Sequence, residues 1–466
     1  MVSIGDTSLS AFLKEEFSGY NFKDKRLLKR FLWIMEDLSK RLTSCVKRFS
    51  KDPLSMRQSY DFFKNPKIKS EGLFKAHAEQ TAERIKSLEE KTVLVIQDGM
   101  RLNFTNHEAK TDIGRIALSH SKDQYGLIQH SSLCVTLDNE PLGILDAQFF
   151  DYDQIDTTIK REKRPIHEKA NACWIKAFEK AHSLIGSKKR FITVADREGD
   201  FFEFLHAMTF KNADFVVRAN TKRKIGQAVK PSEISLHDVF EESPCLGTLT
   251  LDIQNVETRH LEEVTLALKA ATVTLPVPKK LITLLGKEAY QPITLQAIQA
   301  KNETYQWILL TSLECNTLQQ AEHIVHIYKA RWHIEDFHKV LKTGYQVDEI
   351  FLHSSVHAIK NLLVLANISA LRLYWLIYKG RVAPEIKADQ LFKEFEWKSA
   401  YVYLREPIPS QVPSLQEVIF KIATMGGYKS KKNQAPPGIK TMWMGFSALA
   451  IAAETLNNFI NLSTKT

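Results

Sequence analysis

Cysteine is scarce in this 466-residue chain, and Cys45, Cys134, Cys173, Cys245 and Cys315 lie far apart with no C-x-x-C pair among them. That spacing excludes a zinc ribbon and a disulfide framework, and it suits a reducing cytoplasm. The N-terminal residues lack a basic-then-apolar signal pattern, so no secretory leader is expected. A long uncharged apolar run is also missing. Leu362 to Tyr378 comes nearest, but Asn361, Asn367 and Arg372 border or interrupt it and it is short for a bilayer span. It predicts a buried helix in a soluble protein with no membrane partner. Tandem repeats and low-complexity tracts are absent.

What is present is apolar bulk and positive charge. A hydrophobic content of 44% over this length supports large cores, and length alone suggests about three domains. The net charge of +10 and pI near 9.1 suit a polyanionic partner without identifying one.

The stretch Ile324 to Gly344, I-V-H-I-Y-K-A-R-W-H-I-E-D-F-H-K-V-L-K-T-G, has no internal glycine or proline and ends on glycine. It predicts one long helix. At about 100° per residue, Tyr328, Arg331, Glu335 and Lys342 share an arc of roughly 60°, with Lys339 beside them. Ile327, Ala330, Ile334, Phe337 and Leu341 fall on the far side. The polar arc reads either as a solvated, salt-bridged face or as a carboxylate that ligates a divalent cation among phosphate-holding cations. The second reading needs partner carboxylates elsewhere.

Helical patterns fill the first seventy or so residues, from Asp24 to Leu42 and from Ser55 to Phe63, the latter stopped by Asn65-Pro66. Their basic face fits a small DNA-reading module with Lys25, Arg26, Lys29, Arg30, Lys47 and Arg48 on phosphates, and it fits a solvated helical bundle equally well. The period then changes. Thr92 to Gln97, T-V-L-V-I-Q, reads as a doubly covered strand with Asp98 directly after it. Leu127 to Leu137 and Leu142 to Phe150 form a hairpin across Asp138-Asn139-Glu140-Pro141. A long helix is expected over Lys163 to Ile185, then a strand Arg190 to Ala195 that stops at Asp196, a helix Phe201 to Phe210 and a strand Asp214 to Val217. Two strands that each end in an aspartate put both carboxylates at a sheet boundary, where open α/β sheets keep their sites. Singly, each is more simply a turn residue or a cap. Between Thr221 and Thr304, alternating segments (Gly247 to Ile253, Val264 to Thr274, Gln291 to Ala297) suggest an antiparallel insertion, after which Trp307 lies in a strand returning to the core. A Pro-punctuated segment, a basic Pro-rich loop from Tyr428 to Lys440 and C-terminal helices close the chain.

These motifs together resemble the bacterial cut-and-paste transposases of the insertion-sequence-four type, the group that includes the transposase of transposon five. The signature Tyr, two residues, Arg, three residues, Glu, six residues, Lys stands at Tyr328, Arg331, Glu335 and Lys342. V-I-Q-D ending at Asp98, V-A-D-R-E-G-D around Asp196, R-Q-S-Y-D-F-F-K-N-P at 57–66, F-V-V-R ending at Arg218 and M-G-G-Y near Gly427 extend the likeness over nearly the whole chain. Gly99-Met100 departs from it, since relatives often carry hydroxyl residues there.

The resemblance implies an α/β fold with a ribonuclease-H-like core. It divides the chain into an N-terminal helical DNA-binding domain at 1–75, a catalytic domain at 76–375 with a β-insertion at about 221–304, and a C-terminal helical dimerisation domain at 376–466. It implies that Asp98, Asp196 and Glu335 bind two Mg²⁺ ions, with Mn²⁺ as the alternative. Such ions, about 4 Å apart, activate an attacking water or 3′-hydroxyl and stabilise the leaving oxygen. It assigns Tyr328, Arg331 and Lys342 to the DNA backbone near the cut, with Lys339 and His338 as secondary candidates, Arg218 to transposon-end DNA or to an internal ion pair, and Trp307 to a base flipped during hairpin formation or to the core. His333 and His338, five apart, do not make a zinc pair. The implied protein is a dimeric transposase in the bacterial cytoplasm, associated with the nucleoid, that acts on transposon-end and target DNA in a synaptic complex. A nuclease that cuts without strand transfer and a noncatalytic DNA-binding relative remain the alternatives.

Overall fold

The computed structural model describes residues 9–106, 112–117, 124–154, 159–160, 163–186, 189–227, 230–254, 261–350, 355–429 and 437–463. Strands β1 (Thr92–Asn103), β2 (Gly126–Thr136), β3 (Pro141–Phe150), β4 (Arg190–Ala195) and β5 (Asp214–Arg218) lie in the order β3-β2-β1-β4-β5. β1 to β3 are antiparallel neighbours, while β4 runs parallel to β1 and β5 parallel to β4. This is the strand order of a ribonuclease-H-like core. The insertion does not form a separate sheet. β6 (Lys224–Gln227), β7 (Lys230–Ser235), β8 (Cys245–Gln254), β9 (Leu261–Leu275), β10 (Ile293–Lys301) and β11 (Gln306–Thr311) extend the same sheet, because β11 pairs antiparallel with β5. The insertion also carries helices Leu236–Glu242 and Lys279–Leu285, which the alternating pattern does not reveal.

Alternation along the strands sorts side chains into two cores. Val93, Val95, Phe215 and Leu310 pack with helices Ala172–Ile185 and Phe202–Phe210 on one face. Leu94, Ile96, Ile192, Val194, Val216 and Leu309 point to the other, where helices Leu318–Lys329, Trp332–Lys339 and Val356–Val382 cover them. The helix expected from Lys163 starts only at Ala172. Pro165 disfavours helical backbone at the residue before it, and a single 3₁₀ turn, Ile166–Glu168, precedes the helix.

The second core continues without a break from Phe12 to Leu449, so it joins the N-terminal helices, the sheet and the C-terminal helices. Helix Val356–Val382 runs through its middle. It is long and apolar enough to cross a membrane, yet 89% of its apolar window is buried inside the protein. Its asparagine amides find partners there: Asn361 Nδ2 donates to the Phe63 and Ile68 carbonyls at 3.0 and 3.2 Å, while its buried Oδ1 is left without a partner among the described residues, and Asn367 Nδ2 donates to the Leu363 carbonyl at 2.8 Å. The first helices follow their sequence signals, with Asp24 capping Lys25–Arg41 and an Asp52/Ser55 capping box starting Pro53–Lys64. Helices Ser70–Ser87 and Val356–Val382 run across residues 75–76 and 375–376, where the expected domain limits fall.

The C-terminal part comprises Glu394–Leu404, Leu415–Met425 and Ile439–Ser463. M-G-G-Y is structural here. A Cβ on Gly426 would lie 2.0 Å from the Thr441 carbonyl oxygen and one on Gly445 would lie 1.8 Å from that of Ile422, so the last two helices cross backbone to backbone. Gly427 makes the turn at φ +90°. Most of the basic Pro-rich loop from Tyr428 to Lys440 lies outside the described residues.

Candidate active site

Parallel pairing of β1 with β4 ends at Gln97 and Ala195. Asp98 and Asp196 are the next residue of each strand, so the two carboxylates stand side by side where the strands part. The expectation that β1 ends at Gln97 is corrected: the strand runs on to Asn103, because β2 still pairs with it and places Ser131 opposite Asp98. Asp98 Oδ1 accepts the Gly99 N–H at 2.8 Å. Asp196 Oδ1 accepts the Glu198 N–H at 2.8 Å and caps the turn Arg197–Gly199, so the capping role and the site position coincide.

The third carboxylate arrives on a helix that is not the single rod expected from Ile324 to Gly344. Leu318–Lys329 ends at Ala330, Trp332–Lys339 follows, and Val340–Gly344 is one π-helical turn. Bonds of i to i+3 type cause the break, from Arg331 N to Tyr328 O at 3.0 Å and from His333 N to Ala330 O at 3.0 Å. Each tightens the winding from 3.6 toward 3.0 residues per turn, so one helical wheel cannot carry across the joint. The last turn ends at Gly344, as expected, and Gln346, whose φ is +54°, then turns the chain away. The apolar face holds as read: Ile327, Ala330, Ile334, Phe337 and Leu341 are all buried.

The polar arc is only partly where the wheel puts it. Tyr328 is buried, its ring 5.5 Å from that of Trp307 in an edge contact. Trp307 is 6% exposed and also meets Trp332 edge-on at 6.1 Å. Glu335 stays 39% exposed and is ion-paired with Arg331 Nη2, while Arg331 Nη1 lies 3.8 Å from Asp98 Oδ2. Arg331 therefore bridges the first and third carboxylates, with its guanidinium over the Tyr328 ring. Arg218 ends β5, half-buried, and donates to the Gln306 carbonyl at 3.3 Å; among the described residues it pairs with no carboxylate. Lys342, on the π turn, faces Asp348 at 3.6 Å, and the exposed Lys339 pairs with Asp336 at 3.0 Å. His338 is buried, which removes it from contact with a DNA backbone in this arrangement. Sequence reading missed Glu198, whose carboxyl is pushed up by burial and by neighbouring Asp196.

Burial above all, then the Asp196 carboxylate, push Asp98 up to about 7, with Glu335 adding to the effect and the Gly99 N–H and Arg331 opposing it. The proton is bound more tightly in the folded than in the unfolded chain. Asp98 therefore contributes stability that is full below its ordinary value of 3.8 and is lost as pH rises through about 7. Asp98→Asn should raise the thermal midpoint in EDTA much more at pH 8 than at pH 5. Equal gains at the two pH values would show that Asp98 carries no such strain.

Three carboxylates offer the hard oxygen donors that Mg²⁺ and Mn²⁺ take, and the mutual repulsion at Asp98 is of the kind a dication relieves. The donor set fits. As arranged, no three His, Cys, Asp or Glu side chains among the described residues converge closely enough to cage an ion.

Comparison with known families agrees with this geometry. The family described as "Transposase DNA-binding" matches residues 9–68, "Transposase DDE domain" matches 174–371, and "Transposase Tn5 dimerisation domain" matches 368–463. Fold and matches define a DDE transposase, a metal-dependent enzyme that cleaves DNA and transfers strands, with a DNA-binding and a dimerisation domain. Within that class the chain belongs to the Tn5-like transposases. Asp196 and Glu335 fall inside the matched DDE segment, and Asp98 lies before it.

Proposed function

We propose that this transposase binds the terminal repeats of its own element, cleaves them by two-metal hydrolysis with a hairpin intermediate, and joins the 3′-hydroxyl ends to target DNA as a dimer in a synaptic complex. The observation that carries the reading is that Asp98 stands beside Asp196 where β1 and β4 part and is tied to Glu335 through Arg331, which pairs with Glu335 and lies 3.8 Å from Asp98. These three would hold two Mg²⁺ or Mn²⁺ ions, which when bound activate the attacking oxygen and stabilise the leaving one.

The remaining steps fall to the chain. Arg331 neutralises Glu335 in the DNA-free protein, and a phosphate entering the crevice takes over that guanidinium and frees the carboxylate for metal. Lys342, Lys339, Arg218 and Tyr328 would hold the backbone, Lys342 after release from Asp348 and Tyr328 once its buried ring is uncovered. The functional division remains 1–75 for end binding, 76–375 for chemistry and 376–466 for dimerisation, in a cytoplasmic protein that works at the nucleoid.

Of the four basic residues on helix Lys25–Arg41 assigned to DNA, Arg26 pairs with Asp24, and Arg30 bonds Gln58 and lies over the Trp33 ring. Lys25 and Lys29 are exposed and, among the described residues, make no ion pair. Lys25→Ala and Lys29→Ala should each flatten the salt dependence of end binding by about one unit of slope. An unchanged slope in the double variant moves the phosphate contacts elsewhere.

Trp307 reaches a base only if the ring leaves its contacts with Tyr328 and Trp332, so its capture role requires the crevice to open on DNA. Trp307→Ala should spare first-strand nicking and slow the hairpin step, at a stability loss of about 3 kcal/mol. A folded variant that completes both steps at the normal rate leaves the ring in the core.

The reading is tested on a labelled terminal-end duplex with Mg²⁺, resolved on a denaturing gel. A nick, then a hairpin running as a double-length strand, then a blunt end is expected. Double-strand cutting with no hairpin would overturn that part of the mechanism.

A further inference from the structure

Four buried side chains behind the crevice take no part in the chemistry described so far. Gln129 Nε2 donates to Asn367 Oδ1 at 2.7 Å, and Asn367 Nδ2 returns a bond to Gln129 Oε1 at 3.2 Å. Gln129 Nε2 also donates to Ser131 Oγ at 2.9 Å, and Ser131 Oγ lies 3.4 Å from His338 Nε2. The directions are mutually consistent. Ser131 accepts from Gln129, which leaves its O–H to donate to His338; burial pushes that imidazole down to about 3 and so keeps it neutral, and Nε2 accepts in the tautomer that carries its proton on Nδ1.

Gln129, Ser131 and Asn367 are fully enclosed and His338 is 7% exposed. Apolar residues would fill the same space without desolvating four polar groups, so what such a chain contributes is one specific arrangement more than net stability. The arrangement is identifiable. Asn367 sits on the central helix Val356–Val382, and Gln129 and Ser131 sit on β2, where Ser131 is the register partner of Asp98. His338 lies one turn beyond Glu335 on the same helix. The chain thus ties the height and rotation of the Glu335 helix to the strand position that aligns Asp98.

We propose that His338 is a positioning residue: through Ser131, Gln129 and Asn367 it holds Glu335 at the separation from Asp98 that catalysis requires. The proposal rests on the reading of Asp98 and Glu335 as partners in catalysis. Misplacement by about 1 Å is enough to lower a rate about a hundredfold.

His338→Leu removes the acceptor at similar volume, and His338→Gln keeps an acceptor within reach of Ser131. In the full-length protein, His338→Leu should bind terminal DNA normally in EDTA. It should need several-fold more Mn²⁺ for half-saturation, read from the electron paramagnetic resonance of free Mn²⁺, and it should cut about a hundredfold more slowly. His338→Gln should recover most of both losses. Ser131→Ala should move both readouts in the same direction, and the Ser131→Ala/His338→Leu double variant should be no worse than the poorer single one. A folded His338→Leu with normal Mn²⁺ titration and cutting overturns the proposal, as does a folded His338→Gln no better than His338→Leu. If His338→Leu does not fold, normal Mn²⁺ titration and cutting by Ser131→Ala overturn it instead. Glu335→Gln separates the two readings. Normal cutting by that variant removes the assignment of Glu335 itself, whereas its loss beside normal cutting by His338→Leu removes the positioning role alone.

Discussion

Alanine at Asp98, Asp196 or Glu335 should each reduce DNA cleavage by three orders of magnitude or more, equivalent to at least about 4 kcal/mol of transition-state stabilisation. Terminal-DNA binding in EDTA should stay within about threefold. The two halves of the expectation have separate physical sources. Cleavage depends on oxygen ligands at the crevice, and a divalent ion that loses one carboxylate is weakly held and misplaced. End binding is proposed to rest on cations at the far end of the chain, where Lys25 and Lys29 are exposed. Asp98→Ala should also be the most stable of the three in EDTA, because it removes the carboxyl that burial and Asp196 disfavour most. Undiminished metal-dependent cutting by any one variant would remove that residue from the centre.

Deleting residues 1–55 is expected to do more than abolish end binding. Phe31, Ile34, Met35 and Leu38 are fully buried and belong to the core that continues under the catalytic face. Each contributes about 1.5–3 kcal/mol through burial, so their loss together, about 6–12 kcal/mol, is comparable to the whole stability of a typical domain. Polar ties go as well: the Ser44 N–H and Oγ donate to the Tyr345 carbonyl at 3.0 and 2.7 Å, Trp443 Nε1 donates to the Leu42 carbonyl at 2.9 Å, and Arg41 pairs with Glu454 at 2.7 Å. The truncated protein should therefore lose its cooperative thermal transition and aggregate. A truncation that melts cooperatively near the full-length midpoint, yet no longer binds ends, would show the N-terminal helices to be an independent module.

How far the sequence is legible follows from the range of the interactions involved. β1 to β5 and the flanking helices are local patterns, and their alternation survives into the two cores. Asp98 and Asp196 are legible because a strand that ends in an acid is a short motif, although only pairing with β2 shows that β1 continues past Asp98. The Glu335 helix is half legible. Its apolar stripe is correct, but the break at Ala330 and Arg331 leaves no mark in composition, so Tyr328 turns inward where a single wheel holds it outward. Charge at Arg331 gives no sign that it bridges two acids 237 residues apart in the chain. The buried chain from Asn367 to His338 is not legible at all, since its members come from three elements and each alone is an ordinary polar residue.

Cysteine substitution tests the central claim, that Asp98, Asp196 and Glu335 ligate the catalytic metal, most directly. Thiolate is a poor ligand for Mg²⁺ and a better one for the softer Mn²⁺. Asp196→Cys and Glu335→Cys should bind terminal DNA normally, cut at background rate in Mg²⁺ and regain at least about tenfold in Mn²⁺ relative to the matching alanine variants. Cutting by the cysteine and alanine variants that is equal in both ions, or near-normal cutting in Mg²⁺, would contradict metal ligation at these positions.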